Sequence, residues 1–168
     1  MIIGIDPGLS GAICWRWGSQ EDCGSQPSIG VCDAPVFRPL KGTATINAQE
    51  VARILRDFVG NDTHAFIERA QAMPDQGSSS GFNYGTGFGI YIGVLATLEI
   101  PYTFVQAAVW KRHHGLIKAD KEASRLKATV LVPQLAGDLR LKKHHGRAEA
   151  VLIALYGAAK MEHATRAA

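Results

Sequence analysis

The sequence predicts an α/β protein in which helices cover a mixed β-sheet. Short apolar runs bounded by turn signals indicate buried strands, and they alternate with stretches whose apolar residues recur at helical spacing. The resulting order is three strands, then helix, strand, helix, strand and two helices. Consecutive strands form an antiparallel meander, whereas strands joined by helical crossovers pair in parallel. We therefore expect one five-stranded mixed sheet, with its first three strands antiparallel, flanked by helices.

The first strand ends in a single carboxylate. The apolar run from Ile2 leads to Asp6, and the chain then turns at Pro7. Two glycines, Gly8 and Gly11, allow a tight reversal into a second strand. Asp6 is expected at the rim of the core, where it either hydrogen-bonds the turn or takes part in chemistry.

The middle of the chain repeats this layout. Helical spacing over 46–59 precedes the apolar run 65–68, which also ends in an acid, Glu68. If these two strands are parallel neighbours, Asp6 and Glu68 lie side by side at one edge of the sheet.

The other predicted elements follow the same signals of apolar period, turn residues and helix caps. In order they are the strand Ala12–Trp17, a loop at 18–29, the strand Ile29–Ala34, an irregular segment at 35–43, a loop from Met73 to Phe82, a helix from Tyr84 to Leu98, the strand Tyr102–Gln106, a loop at 109–119, a helix from Asp120 to Val132, a basic connection at 134–146 and a helix from Gly146 to Met161.

Three glycines form a stripe on the helix predicted over 84–98. Gly85, Gly89 and Gly93 are four residues apart, and each glycine costs about 1 kcal/mol in a helix interior. The stripe indicates close approach of another backbone. That backbone belongs either to the protein's own sheet or to the same helix of a second copy.

The composition is that of a single globular domain. The chain has 168 residues, with 46% hydrophobic and 20% charged residues, and its apolar runs are too short to cross a bilayer. We find no signal peptide. Three cysteines (Cys14, Cys23 and Cys32) without a CxxC motif indicate free thiols in a reducing compartment. We therefore expect a location in the cytoplasm of a bacterial or phage-infected cell.

The charges are distributed unevenly. Residues 1–105 carry 6 Lys and Arg against 10 Asp and Glu, whereas residues 106–168 carry 12 against 5. Five of the six histidines also lie in the second part. A basic C-terminal third indicates a polyanionic partner.

A third acid, Glu149, begins the last helix. It either interacts with the positive N-terminus of that helix or joins Asp6 and Glu68. Clustered carboxylates repel one another unless a cation neutralises them, and Mg²⁺ prefers oxygen ligands. Two such ions about 3.5–4 Å apart activate water in phosphodiester hydrolysis.

Histidines and basic residues surround these acids in the sequence. His145 lies four residues before Glu149, on the same helical face, and His144 would reach the site only from a loop. Either histidine is a metal ligand, a proton carrier or an exposed loop residue. Phe82 and Tyr84 either stack on bases or pack in the core. The candidate phosphate contacts, each also compatible with solvated surface, are Lys111, Arg112, Lys118, Lys121, Arg125, Lys142, Lys143 and Arg147.

These segments resemble RuvC-type Holliday-junction resolvases of the RNase H-like, retroviral-integrase superfamily. The likeness runs in order along nearly the whole chain, and it is closest to the chloroplast resolvase branch. The matching segments are Ile3–Gly11, Ile67–Glu68, Gly81–Gly85, Ala108–His113, Ala119–Lys121 and Lys143–Ala150.

Two departures from the family pattern concern the last motif. The family normally has Asp where Glu149 stands. It also has a second acid shortly before, where this chain offers His144, His145 or Gly146. Some members use a histidine there. Because imidazole suits softer cations than Mg²⁺, the change favours Mn²⁺.

The resemblance implies a homodimeric endonuclease that cuts four-way DNA junctions with paired symmetric nicks. Asp6, Glu68 and Glu149 would hold two Mg²⁺ or Mn²⁺ ions with help from a histidine, and no small-molecule cofactor is implied. Lys111 and Lys121 would hold the scissile backbone. The glycine stripe would form the dimer contact, with the loop from Met73 to Tyr84 at the crossover.

Three alternatives remain open. The first is another nuclease of this fold that acts on different DNA or RNA. The second is an actin-like phosphotransferase, in which the segment from Gly4 to Gly8 would bind phosphate; the chain is short for that two-lobed fold. The third is a junction-binding protein without catalysis.

Overall fold

A computed structural model describes residues 1–18, 28–60, 62–70 and 77–167. Most of the loop predicted at 18–29, with Cys23, lies outside the described residues. The first part of the loop predicted from Met73 does so too. Cys14 is buried and Cys32 is partly buried, and both are free thiols. In the described residues no helix is long and apolar enough to cross a membrane.

The main sheet has the predicted mixed topology. Its strand order is β3-β2-β1-β6-β7, in which β1, β2 and β3 pair antiparallel and β1, β6 and β7 pair parallel. β4 and β5 pair with each other in a separate two-stranded ribbon. The strands are β1 (Ile2–Asp6), β2 (Ala12–Trp17), β3 (Ser28–Asp33), β4 (Val36–Phe37), β5 (Thr45–Ile46), β6 (His64–Glu68) and β7 (Tyr102–Val105).

Helices cover both faces of this sheet. Two of them begin at side-chain caps: Asn47 accepts a hydrogen bond from the backbone N–H of Glu50, and Asp120 accepts one from that of Ala123. The helices are α1 (Ala48–Arg56), α2 (Ser78–Thr97), α3 (Ala107–His113), α4 (Lys121–Leu131), α5 (Ala136–Leu139) and α6 (His145–Ala167), with 3₁₀ turns at Pro133–Leu135 and Lys142–His144.

The two faces of β1 contribute to two separate cores, as alternation along a strand requires. Ile3 and Ile5 pack with residues of α1 and α2 on one face. On the other face Ile2 belongs to a core that α3, α4 and the fully buried middle of α6 also build. The apolar segment 150–154 of α6 is completely buried in this core.

Gly4 allows α6 to pack directly on the central strand. A Cβ at this position would overlap the carbonyl oxygen of Ala150 and the backbone nitrogen of Ala154. The close approach fixes the long helix against β1, and it therefore also fixes the acid at the start of that helix.

Three predicted non-regular segments are wrong in part, and the first is the irregular segment 35–43, which contains β4. α2 begins at Ser78, inside the loop predicted from Met73 to Phe82, and α3 occupies the first half of the loop predicted at 109–119. Ser and Gly are poor helix formers, but propensity is a weak determinant that tertiary packing overrides. In α3 that packing is the complete burial of Trp110.

The glycine stripe does not face the protein's own sheet. Within the described part of the chain, an added Cβ at Gly85, Gly89 or Gly93 would meet no atom within 4 Å. The buried face of α2 instead carries Tyr91 and Leu95. The interpretation that the stripe packs against the protein's own sheet is therefore wrong.

Candidate active site

Two of the predicted acids lie side by side at one edge of the sheet. β1 and β6 are parallel, and their register pairs Ile5 with Ile67. The next residues, Asp6 and Glu68, therefore leave the adjacent carboxyl ends of the two strands. One oxygen of Asp6, Oδ1, accepts a hydrogen bond from the backbone N–H of Gly8 at 3.3 Å, which also supports the predicted turn.

The third acid reaches the same edge because the start of α6 packs against the turn after β1. A Cβ on Gly146 would overlap the carbonyl oxygen of Ser10, so only glycine permits this contact. Glu149 follows three residues later, which is about one helical turn. α6 begins at His145, and His145 and Glu149 therefore share one helical face.

The electrostatics show that the three carboxylates converge. Burial, followed by the nearby charges of Glu149 and Glu68, raises the pKa of Asp6 from 3.8 to about 7. Burial is also the largest cause of the raised pKa of Glu68, and the charge of Glu149 adds to it. The charge of Glu149 therefore disfavours the ionisation of both Asp6 and Glu68.

Two lysines and an indole partly compensate this charge. Lys111 Nζ lies 3.8 Å from Glu149 Oε1, and Lys121 lowers the pKa of Asp6. Trp110 Nε1 donates a hydrogen bond to Glu68 Oε2 at 2.7 Å. The site nevertheless has three carboxylates against two nearby ammonium groups.

An open cavity of about 890 Å³ lies beside Asp6, Lys121 and Glu149. β1, the following turn, the start of α2, α4 and α6 all contribute to its walls. The residues with ionisable side chains that line this cavity are Asp6, Arg38, Tyr84, Lys121, His145 and Glu149.

The donor set suits a hard divalent cation. Carboxylate oxygens are the ligands that Mg²⁺ and Mn²⁺ prefer, and a cation would relieve the repulsion that raises the pKa of Asp6. Among the residues that the structure describes, no three His, Cys, Asp or Glu side chains are close enough to coordinate one ion. Glu68 and Glu149 instead contact Trp110 and Lys111, respectively.

The structure distinguishes the two histidines. His145 lines the cavity together with Glu149. His144 is 8% exposed and lies in the preceding 3₁₀ turn, where its Nδ1 accepts a hydrogen bond from the backbone N–H of Leu141. This placement argues against a catalytic role for His144, because its burial and hydrogen bond hold it in the turn.

Two of the residues predicted to contact DNA form ion pairs with other residues of the protein. Arg147 forms a two-pronged ion pair with Asp33, at 2.6 and 2.8 Å. Arg125 pairs with Glu122 and donates to the carbonyl oxygen of Leu139 at 2.8 Å. Both guanidinium groups connect separate elements, so phosphate would have to displace existing partners.

The remaining predicted contacts lie at the surface or in the cavity. Phe82 is 75% exposed, near the start of α2. Tyr84 is partly buried in the cavity, and burial and then the charge of Glu68 raise the pKa of its hydroxyl. The exposed basic residues are Arg112, Lys118, Lys142 and Lys143.

Trp110 and Arg38 are site residues that the sequence analysis missed as such. Trp110 was noted only as part of the resemblance. Two signals could have identified it: a buried tryptophan usually finds a hydrogen-bond partner for its N–H, and Trp110 directly precedes Lys111. Arg38 lies in a segment that was interpreted as irregular, and no pattern connects it with the acids.

These features define the fold class of the protein. A mixed sheet with acids at the ends of two parallel neighbours, completed by an acid on the last helix, is the RNase H-like architecture that the sequence predicted. The fold is that of RuvC. The structure of Thermus thermophilus RuvC matches with a TM-score of 0.56 and 19% identity, covering 96% of both chains.

Further comparisons agree. T. thermophilus RuvC in complex with a Holliday junction substrate matches with a TM-score of 0.53 and 18% identity, covering 98% of this chain and 96% of that one. The chloroplastic Holliday junction resolvase MOC1 of Chlamydomonas reinhardtii is 31% identical over 94 residues, which are 55% of this chain and 11% of that protein. No family model matches. The resemblance to RuvC and to the chloroplast branch is confirmed.

Proposed function

We propose that the protein is a metal-dependent endonuclease that resolves four-way (Holliday) DNA junctions by paired symmetric nicks. One observation carries the proposal: Asp6, Glu68 and Glu149 converge at one edge of the sheet, beside two lysines. The RuvC fold and the similarity to a chloroplastic junction resolvase support this substrate class.

The acids would hold two divalent ions, Mg²⁺ or Mn²⁺. Asp6, Glu68 and Glu149 offer the carboxylate oxygens, and His145 offers an imidazole on the same helical face as Glu149. When bound, such ions activate a water molecule and stabilise the leaving oxygen in phosphodiester hydrolysis. His145 is also placed to carry a proton to or from the reacting groups at the cavity wall.

Basic side chains would position the DNA. Lys121 lines the cavity and Lys111 lies 3.8 Å from Glu149, so both would hold the scissile phosphate next to the carboxylates. The arms would contact the exposed residues Arg112, Lys118, Lys142 and Lys143. Phe82 is exposed enough to stack on a base at the crossover.

Paired nicks require two active sites, and we propose a homodimer that uses the glycine stripe of α2. Gly85, Gly89 and Gly93 leave a backbone surface on which a second copy of the helix can pack closely. No small-molecule cofactor is part of this proposal.

The proposal is tested with a labelled four-way junction, a matched duplex and a single strand, each with Mg²⁺ and with Mn²⁺. We expect symmetric nicks in the junction only. Asp6→Asn and Glu68→Gln should abolish cutting and preserve junction binding, because each removes a ligand charge and leaves the basic surface intact. Asp62→Asn, an exposed acid outside the site, is the matched control and should cut normally.

Each of three other results would contradict the proposed function. Equal cutting of the duplex or single strand would indicate a nuclease of this fold with another substrate. Tight junction binding without cutting in either metal would indicate a non-catalytic binder. Loss of junction binding in the two acid variants would contradict the assignment of the site.

A further inference from the structure

We propose that Trp110 is a positioning residue that fixes the orientation of the Glu68 carboxylate and thereby strengthens the binding of a divalent cation. The inference rests on the proposed function, because it assigns Trp110 a part in the metal site. Trp110 does not itself touch the substrate or the ion in this scheme; it acts through Glu68.

The contact is short and well confined. Trp110 Nε1 donates to Glu68 Oε2 at 2.7 Å across 42 residues of sequence. The indole is fully buried in the core that α6 and α4 share. A buried ring of this size has few other orientations, so the N–H direction is set by core packing and not by the carboxylate.

The indole N–H that donates to Glu68 is neutral, so it does not compensate the charge that would bind a metal ion. A lysine at this place would neutralise Glu68 and compete with a cation for its charge. The indole N–H is a donor only, so it restrains the carboxylate and leaves its full negative charge. Groups that hydrogen-bond to metal ligands in this way typically change metal affinity by 10–100-fold.

Lys111, the residue after Trp110, also supports a role for α3 beside the acids. Lys111 lies 3.8 Å from Glu149 and 5.1 Å from the centre of the Trp110 ring. Two consecutive residues of one short helix therefore contact two different acids, one through a neutral donor and one through a charge. If Trp110 only filled the core, its N–H would need some acceptor, but not a candidate ligand.

Metal affinity separates positioning from core filling. The affinity for Mn²⁺, measured by electron paramagnetic resonance of the free ion without DNA, should fall 10–100-fold in Trp110→Phe. Trp15→Phe is the matched control, because Trp15 packs against Phe58 in the core on the other face of the sheet, and should change affinity less than twofold. In junction cutting, Trp110→Phe should need more metal for half-maximal rate and approach the normal rate at saturation.

A second measurement does not require the Trp110→Phe variant to fold. The chain has three tryptophans, whose indole N–H resonances can be assigned by Trp→Phe substitutions at Trp15 and Trp17. The Trp110 resonance should shift in Glu68→Gln and on titration with Mg²⁺, while the other two stay in place. An unmoved Trp110 resonance in both experiments would overturn the inference.

The outcomes also separate this inference from the proposed function. If the unmodified protein binds Mn²⁺ and cuts junctions, and Trp110→Phe binds Mn²⁺ with unchanged affinity, the positioning role is refuted and the nuclease proposal stands. If the unmodified protein neither binds Mn²⁺ nor cuts a junction, both are refuted.

Discussion

Replacing Asp6 by Asn tests whether burial and the neighbouring acids raise the pKa of Asp6, with stability as the measured quantity. The pKa of Asp6 is about 7 in the fold and 3.8 when unperturbed. At 1.36 kcal/mol per pKa unit, this difference corresponds to about 4 kcal/mol that ionised Asp6 costs the metal-free fold. Asn keeps the oxygen that accepts from the N–H of Gly8 and cannot ionise, so it removes that cost.

The sign of the effect follows from proton linkage. Below pH 3.8 Asp6 is protonated in the folded and unfolded states, and ionisation contributes nothing. Between pH 3.8 and about 7 the unfolded state releases its proton first, so the stability of the unsubstituted protein falls. Above pH 7 the full cost is present. The advantage of Asp6→Asn should therefore grow across this window, by about 2–4 kcal/mol.

Urea unfolding in the presence of a chelator, at pH 4 and at pH 8, measures this difference. Asp62→Asn is the control and should show no such growth. Mg²⁺ at pH 8 should stabilise the unsubstituted protein more than Asp6→Asn, because the ion relieves the repulsion that the substitution has already removed. An equal free-energy difference at both pH values would refute the reasoning, since Asp6 would then ionise as freely in the fold as outside it.

Three further substitutions test the packing of α6, the dimer and the DNA surface. Gly146→Ala should lower the free energy of unfolding by about 1–3 kcal/mol, whereas Gly137→Ala, whose Cβ would meet no atom within 4 Å, should change it by less than about 0.5 kcal/mol; calorimetric melting compares them. Gly89→Leu should give a monomer in sedimentation velocity, and an intact dimer would contradict the interface. Lys142→Ala with Lys143→Ala should reduce the salt slope of junction binding by about 0.9 per lost phosphate contact, and an unchanged slope would mean that neither touches phosphate.

The acids could be predicted because their positions depend on local rules. A carboxylate at the end of a short apolar run lies at the end of a strand, and a helical crossover makes the two strands parallel. The structure agrees with these rules, since β1 and β6 are parallel neighbours with Ile5 opposite Ile67. His145 could be related to Glu149 by helical spacing, although the start of α6 had to be known before His145 could be distinguished from His144.

The rest depends on contacts between residues far apart in sequence. Arg147 pairs with Asp33 across 114 residues, and no local pattern separates such an arginine from one that is free to bind DNA. The same holds for the partner of Trp110. α3 was interpreted as a loop because its seven residues show little periodicity, and its helical state depends on burying one large ring.

The charge distribution assigns different roles to the two surfaces. Without a cation, three carboxylates lie near Lys111 and Lys121, with Arg38 in the cavity wall, and their charge would weaken the binding of a scissile phosphate there. In the proposed function, the exposed lysines Lys142 and Lys143 lie outside that cluster and would attract the arms in any metal state. Binding of the junction and engagement of the scissile phosphate would then be separable, and only the second would depend on the cation. This separation is the physical reason why Asp6→Asn should bind a junction and leave it uncut.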